Sequence, residues 1–299
     1  MLEKSEKGIP HHIKDFLDWL DIEKGLASKS QENYSRFIKR FTDWLTLENL
    51  NDLKPHELTP DHIWSYRVHL SRGNSLRKST QNYYLIALRS LLNFFADRNI
   101  LSLPSDKIKL ARDKADKEVR FLTLEQLEKL FETPDTRTPR GLRDRAILEV
   151  FFSTGMRISE LTSLNRDQIH PSATEELELS IMGKGSKTRT IYFSKRALTA
   201  VHEYLRSRKD DKKKLFPISP RSIERSMKTY AIMAGLPTNT TPHVMRHSFA
   251  TDLLNQGVDL RILQEFLGHR SITATQIYAH VTSKKLREIH KKFHGHSSI

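Results

Sequence analysis

A charged stretch over residues 106–119 divides the chain, and much of what it can fold into follows from that division. The stretch holds few apolar residues, while apolar positions recur at regular spacing on both sides of it. Two separate cores joined by a solvated linker are therefore expected. Lys107, Lys109, Arg112, Lys114 and Lys117 make the linker a strap suited to lie on an anionic partner. At 299 residues the chain is long enough for two ordinary domains.

Residues 1–105 read as helices. Phe16, Leu17 and Leu20 repeat at helical spacing, as do Tyr34, Phe37, Ile38, Phe41 and Leu45. Thr59 caps and Pro60 opens a helix carrying Ile63, Tyr66 and Leu70, and Ser79-Thr80 starts another with Leu88, Leu91, Leu92 and Phe95. The pattern predicts a four- or five-helix bundle. Its polar positions Lys29, Lys78, Thr80, Asn82 and Arg89 are candidates to track a phosphate backbone, or else form a solvated face.

The second half mixes periods. Thr123 with Gln126 predicts a capping box. Residues 142–152 are apolar enough for a central buried helix, ended at Ser153-Thr154-Gly155, with a new helix starting at Met156 to Leu161. Leu177, Leu179 and Ile181 alternate with polar residues, and Ile191 and Phe193 do the same, so a small antiparallel sheet is expected with Lys184 on its turn. Helices follow over about 195–208 and 222–234. Thr241-Pro242 opens a further helix that ends at Gly257, and Asp259 caps one that Gly268 closes. Ser271 caps a short helix through Tyr278. A tail over residues 284–299 carries Leu286, Ile289 and Phe293 at helical spacing.

Charge narrows the partners. Fifty Lys and Arg against 36 Asp and Glu leave a formal charge of +14, which suits nucleic acid or an anionic membrane surface. The excess is uneven: 15 basic residues face 13 acidic ones up to Ser105, leaving 35 against 23 beyond it. No run is long and apolar enough to span a bilayer, and the charged N-terminus lacks an apolar signal core. The absence of cysteine excludes disulfides and thiolate zinc sites and fits a cytoplasmic protein.

The chemistry concentrates in Thr241 to Ala250. His243 and Arg246 lie three apart, on one helical face, where Arg can fork onto phosphate oxygens and His can give or take a proton. His243 and His247, four apart, would also suit a metal, but no third ligand is placed locally. Further polar residues follow structural breaks in order: Arg157 in Thr154-Gly155-Met156-Arg157-Ile158-Ser159-Glu160-Leu161, Lys184 in Gly183-Lys184-Gly185, His269 in Leu267-Gly268-His269, and Tyr278 nine residues on. In this order and local sequence the chain resembles the tyrosine recombinases, integrases of the phage type, and among them the Xer-like proteins. The resemblance covers nearly the whole chain.

The resemblance implies a mainly α fold with a small antiparallel β-sheet. It implies a SAM-like, core-binding helical domain over residues 1–105 and an α+β catalytic domain over 120–283, clamping DNA in a C shape. It makes Tyr278 the nucleophile on a DNA phosphodiester, giving a 3′-phosphotyrosyl link and a free 5′ hydroxyl. Lys184 becomes the acid for the leaving oxygen, with Lys187 on the same turn as the alternative. His243 accepts the proton or bonds the phosphate, and His269 donates to a non-bridging oxygen. Arg157 and Arg246 would clamp the phosphodiester, for two guanidinium forks stabilise added negative charge. Glu160, one helical turn after Arg157, is a carboxylate that holds the site together. Bond energy stays in the ester, so no cofactor or metal is implied.

The implied partners are double-stranded DNA with two half-sites, a homotetramer on two such sites with the tail docked on a neighbour, and a DNA-translocating ATPase or second recombinase. No arm-binding module precedes the first bundle, which favours a simple Xer-like machine over an accessory-dependent phage integrase. The resemblance implies chromosome-dimer resolution, with integration of a mobile element by the same chemistry as the alternative. The competing readings are a topoisomerase-like enzyme, a basic DNA-binding protein that no longer cuts, and a metal hydrolase built on the histidines.

Overall fold

The computed structural model describes residues 2–72, 76–111, 120–170, 172–173, 175–183, 188–268 and 275. It divides into two units, Met1–Asp116 and Lys117–Ile299. Both are mainly helical, and the second holds a two-stranded sheet.

In the first unit, α1 (Ile13–Ile22), α2 (Ser28–Leu47), α3 (Pro60–Arg72) and α4 (Lys78–Asp97) bury the stripes that their spacing predicts. Phe16, Trp19, Ile38, Phe41, Trp44, Tyr66, Leu88 and Phe95 meet in one core. The ends of α2 and α4 are set by Asn49 (φ 59°) and Asn99 (φ 57°). Asparagine tolerates this left-handed geometry, and in each case the next amide bonds back to close the helix, Leu50 to Leu45 and Ile100 to Phe95. The start of α4 differs from expectation. Arg77 is its extended N-cap residue, and Ser79 and Thr80 already lie inside the first turn.

The chain that leaves this unit is fastened to it. Ile108 is buried in the first core, Arg67 donates to the Lys109 carbonyl at 2.8 Å, and the Asn82 amide pairs with Ala111. The beginning of the charged stretch is thus held by buried Ile108, by Leu110 packed against the same core, and by three side chain–backbone hydrogen bonds.

The second unit is built round α6 (Pro139–Thr154), following α5 (Leu124–Glu132). Ala146, Ile147, Leu148, Val150 and Phe151 are all buried, so α6 is covered on most sides rather than along one stripe. Its two buried acids are compensated. Asp144 accepts from Arg143 and from Tyr230, and Glu149 accepts from Arg196, which also forks onto Glu128. The helices α7 (Ile158–Ser163), α8 (Lys195–Ser207), α9 (Pro220–Met233), α10 (Pro242–Asn255) and α11 (Leu260–Leu267) complete the unit. Strands β1 (Glu176–Met182) and β2 (Thr188–Ser194) pair antiparallel, with Leu177 opposite Phe193, Leu179 opposite Ile191 and Ile181 opposite Arg189.

The caps follow the sequence. Thr123 and Gln126 form the reciprocal box on α5, Thr241 accepts from the Val244 amide on α10, and Asp259 accepts from the Arg261 amide on α11. The helix expected from Ser271 and the apolar tail positions Leu286, Ile289 and Phe293 lie outside the described residues.

Candidate active site

The break after α6 creates the first element of the site. Gly155 takes φ 57° and ends α6. A Cβ there would lie 2.4 Å from Cδ1 of Phe249, so the position requires glycine for both conformation and space. Met156 then turns inward, fully buried, and Arg157 stands extended as the N-cap residue of α7. Its amide donates to Glu160 Oε2 at 2.7 Å, and its Nη1 donates to Glu160 Oε1 at 3.0 Å. Glu160 therefore caps the helix and orients the arginine at once.

Glu160 has a second partner that sequence reasoning missed. Arg189, near the start of β2, donates Nη1 to Oε1 at 2.8 Å and Nη2 to Oε2 at 2.7 Å, a bidentate fork. Side-chain exposure is 5% for Glu160 and 8% for Arg189, so the pair is shielded from solvent. Burial works against the Glu160 charge. The hydrogen bonds from Arg189 and from the Arg157 amide outweigh it and hold the carboxyl below its ordinary value. A signal for Arg189 does exist in the sequence. It falls on the same strand face as the buried Ile191 and Phe193, where a charge requires an acid partner.

Arg246, on α10, is 6% exposed and joins two helix ends. Nη1 donates to the carbonyl of Gly155 and Nη2 to that of Leu267. One of these lies two residues before Arg157 in the chain, the other two residues before His269. The structure thus brings Arg246 to the turn that carries Arg157. His243 is exposed on the first turn of α10, at the positive end of the helix dipole. His247, half-buried, is held neutral: burial, then the charges of His243 and Arg246, bring its pKa down to about 4. Guanidinium groups and a helix N-terminus each favour an anion, and Arg246 links α10, which carries His243, to the turn that carries Arg157.

Lys184, Lys187, His269 and Tyr278 lie outside the described residues. Lys184 belongs to the connection between β1 and β2, whose pairing at Met182 and Thr188 is described. Among the described residues no group of three or more His, Cys, Asp or Glu side chains is placed to hold a metal. No helix among them is long and apolar enough to cross a membrane.

The first unit's candidates are spread over α2 and α4. Lys29 and Lys78 are exposed, and Lys29 pairs with Glu32. Thr80 and Arg89 are half-buried. Asn82 is engaged with the chain itself: Nδ2 donates to the Ala111 carbonyl at 2.9 Å, and Oδ1 accepts from the Ala111 amide at 3.0 Å.

A sequence model described as phage integrase family matches residues 120–285, and one described as phage integrase, N-terminal SAM-like domain, matches residues 13–101. The chain belongs to the phage integrase family. Among its relatives, tyrosine recombinase XerD of Listeria innocua is 33% identical over 297 residues, covering 94% of this chain and 98% of that protein. Tyrosine recombinase XerC of Leptospira interrogans is 29% identical over 306 residues, covering 99% and 96%. The crystal structure of XerH site-specific recombinase bound to palindromic difH substrate shares the fold, with a TM-score of 0.71 at 23% identity, covering 97% of this chain and 91% of that one. As a phage integrase family member of the Xer kind, the chain is a site-specific tyrosine recombinase, an enzyme that cleaves and rejoins DNA.

Proposed function

We propose that Tyr278 is the nucleophile of this recombinase and that Arg157, Lys184, His243, Arg246 and His269 serve it. The observation that carries the reading is the Arg246 contact with Gly155, which fixes one arginine of the pair beside the turn that carries the other. Two forks there neutralise the non-bridging oxygens as the phosphorus becomes five-coordinate. Tyr278 gives its proton to His243 and attacks the phosphorus, the 5′ oxygen leaves with a proton from Lys184, and a 3′-phosphotyrosyl ester remains. The 5′ hydroxyl of a partner strand then reverses the step, so the ester energy is conserved and the strands are exchanged through a four-way junction.

The substrate is duplex DNA with two half-sites, bound by a tetramer on two such sites in the cytoplasm, and the biological task is chromosome-dimer resolution. Relatedness to XerD and XerC over nearly the full chain supports that task. Lys29, Lys78, Thr80 and Arg89 contribute contacts to the phosphate backbone from the first unit.

The test is covalent capture. Wild-type enzyme incubated with a fragmented genomic library is denatured, and the DNA that stays attached to protein is sequenced. Tyr278→Phe is expected to bind duplex DNA and to yield no attached DNA. A covalent band from the Phe variant on a denaturing gel overturns the assignment.

A further inference from the structure

We infer that Arg189 is a positioning residue for strand cleavage, acting on Arg157 through the Glu160 carboxylate. The inference rests on the recombinase reading and adds to it a residue outside the six with proposed chemical roles.

Glu160 Oε1 is shared. It accepts from Arg157 Nη1 at 3.0 Å and from Arg189 Nη1 at 2.8 Å, while Oε2 accepts from the Arg157 amide and from Arg189 Nη2, each at 2.7 Å. A carboxylate gripped on both oxygens by a planar fork cannot rotate freely, so the direction it offers Arg157 is fixed from β2. Arg157 itself is 27% exposed at the side chain, open enough to meet a ligand, and Glu160 is its carboxylate partner. Without Arg189 that carboxylate would be a buried anion free to pull Arg157 inward.

A further contact places Arg189 at the same junction. A Cβ on Gly268 would lie 2.8 Å from Arg189 Cδ and 3.2 Å from its Nη1. The arginine stem thus runs against the residue that ends α11, next to Leu267, whose carbonyl receives Arg246. Arg189 Nε is buried and has no hydrogen-bond partner among the described residues. A guanidinium that leaves one donor unused in a desolvated place is expensive, and the Glu160 fork is what offsets it. Arg189 also stands two residues into the strand that follows the connection containing Lys184, so the same fork ties the root of that connection to Arg157.

The experiment is a double-mutant cycle. The probe is a nicked duplex of the sequence captured covalently by the wild-type enzyme, on which religation is blocked. Single-turnover cleavage and half-site binding are measured for Arg157→Ala, Arg189→Met and the double variant. Arg189→Met is expected to cleave roughly 10–10²-fold more slowly with half-site binding unchanged, the scale of a misplaced catalytic group. The double variant is expected to be no slower than Arg157→Ala alone, because Arg189 acts through the residue already removed. Additive losses overturn the inference. Since Arg189→Met leaves Glu160 with fewer partners and lowers stability, Glu160→Gln/Arg189→Met removes the surplus charge as well. That variant is expected to regain its melting temperature while cleavage stays slow. Cleavage restored along with stability overturns the positioning role and leaves a structural one. A wild-type enzyme that captures no DNA overturns the recombinase reading, and this inference with it.

Discussion

Arg157 and Glu160 are joined twice, once through the Arg157 amide at 2.7 Å and once through its guanidinium at 3.0 Å. A cap that starts α7 therefore also aims a side chain, and loss of the carboxylate affects both. Replacing Glu160 by Ala is expected to cost about 3–5 kcal/mol, the usual penalty for removing one partner of a buried ion pair, because Arg189 stays desolvated. The folded-state pKa of Glu160 is lowered, so its contribution is present above the ordinary carboxylate range and is lost as pH falls through the folded value. Unfolding by urea at pH 7 and at successively lower pH checks this. The gap between wild type and Glu160→Gln should narrow in acid.

The two arginines should separate by stability although both slow the reaction. Loss of either contact to the transition-state charge typically costs about 10²–10³ in rate. Arg157→Ala leaves Glu160 paired with Arg189 and should melt close to wild type. Arg246 is 6% exposed and joins Gly155 to Leu267. Its removal leaves acceptors without a donor, at about 1–3 kcal/mol for each that is buried. Calorimetry of Arg157→Ala and Arg246→Ala beside cleavage rates checks the contrast, and equal melting temperatures would count against it.

What could be read from the sequence was local. The Thr123 capping box, the Asp259 cap, the Thr241-Pro242 helix start and the glycines at 155 and 268 all act within a few residues, and each stands where its local chemistry puts it. The strands could be read from alternation alone. Contacts that cross the chain could not. Arg189 meets Glu160 across 29 positions, and Asn82 meets Ala111 across the same number. No periodicity encodes such pairs. Asp144 and Glu149 pass for solvent-facing charges on a helix until Tyr230 and Arg196 arrive from other elements. The boundary of the first core was blurred for a related reason, since Ile108 and Leu110, set between lysines, make too short a pattern to stand out among charges.

Gly155→Ala tests the junction from the other side. Alanine at φ 57° costs about 1–2 kcal/mol in conformation alone. The added Cβ would also meet the Phe249 ring at 2.4 Å and displace it from the cluster with Leu254, Leu263 and Leu267. Gly235→Ala is the control, because its φ is 67° and nothing lies within 4 Å of a Cβ there. Gly155→Ala should lose clearly more stability than Gly235→Ala, and it alone should slow cleavage, since the Gly155 carbonyl holds Arg246. Equal losses in the two variants would remove the steric argument.

Lys184 and Lys187 can be told apart chemically. A substrate with sulfur at the bridging 5′ position releases a thiolate, which leaves without needing a proton. Cleavage of that substrate by Lys184→Ala should approach the wild-type rate, while the ordinary phosphodiester stays nearly uncut. Rescue of Lys187→Ala in place of Lys184→Ala would move the acid to the neighbouring lysine.

His247 sets a second acid step, in a different window from Glu160. Its pKa falls from the ordinary 6.5 to about 4, first through burial and then through the charges of His243 and Arg246. Between those two values the unfolded chain binds a proton that the folded chain refuses, so stability rises with pH across the window and is lost as pH falls through it. Below about 4 both states are protonated and the step is complete. His12 is lowered as well, so the wild-type curve alone would mix the two. The difference between wild type and His247→Gln isolates the group, because glutamine carries no titrating charge. Wild type should lose stability relative to His247→Gln from pH 6.5 downward and level off near 4. A ring resonance of His247 titrating near 6.5 by NMR would show that the site tolerates a further positive charge beside Arg246. It would remove the reason for a neutral imidazole beside Arg246.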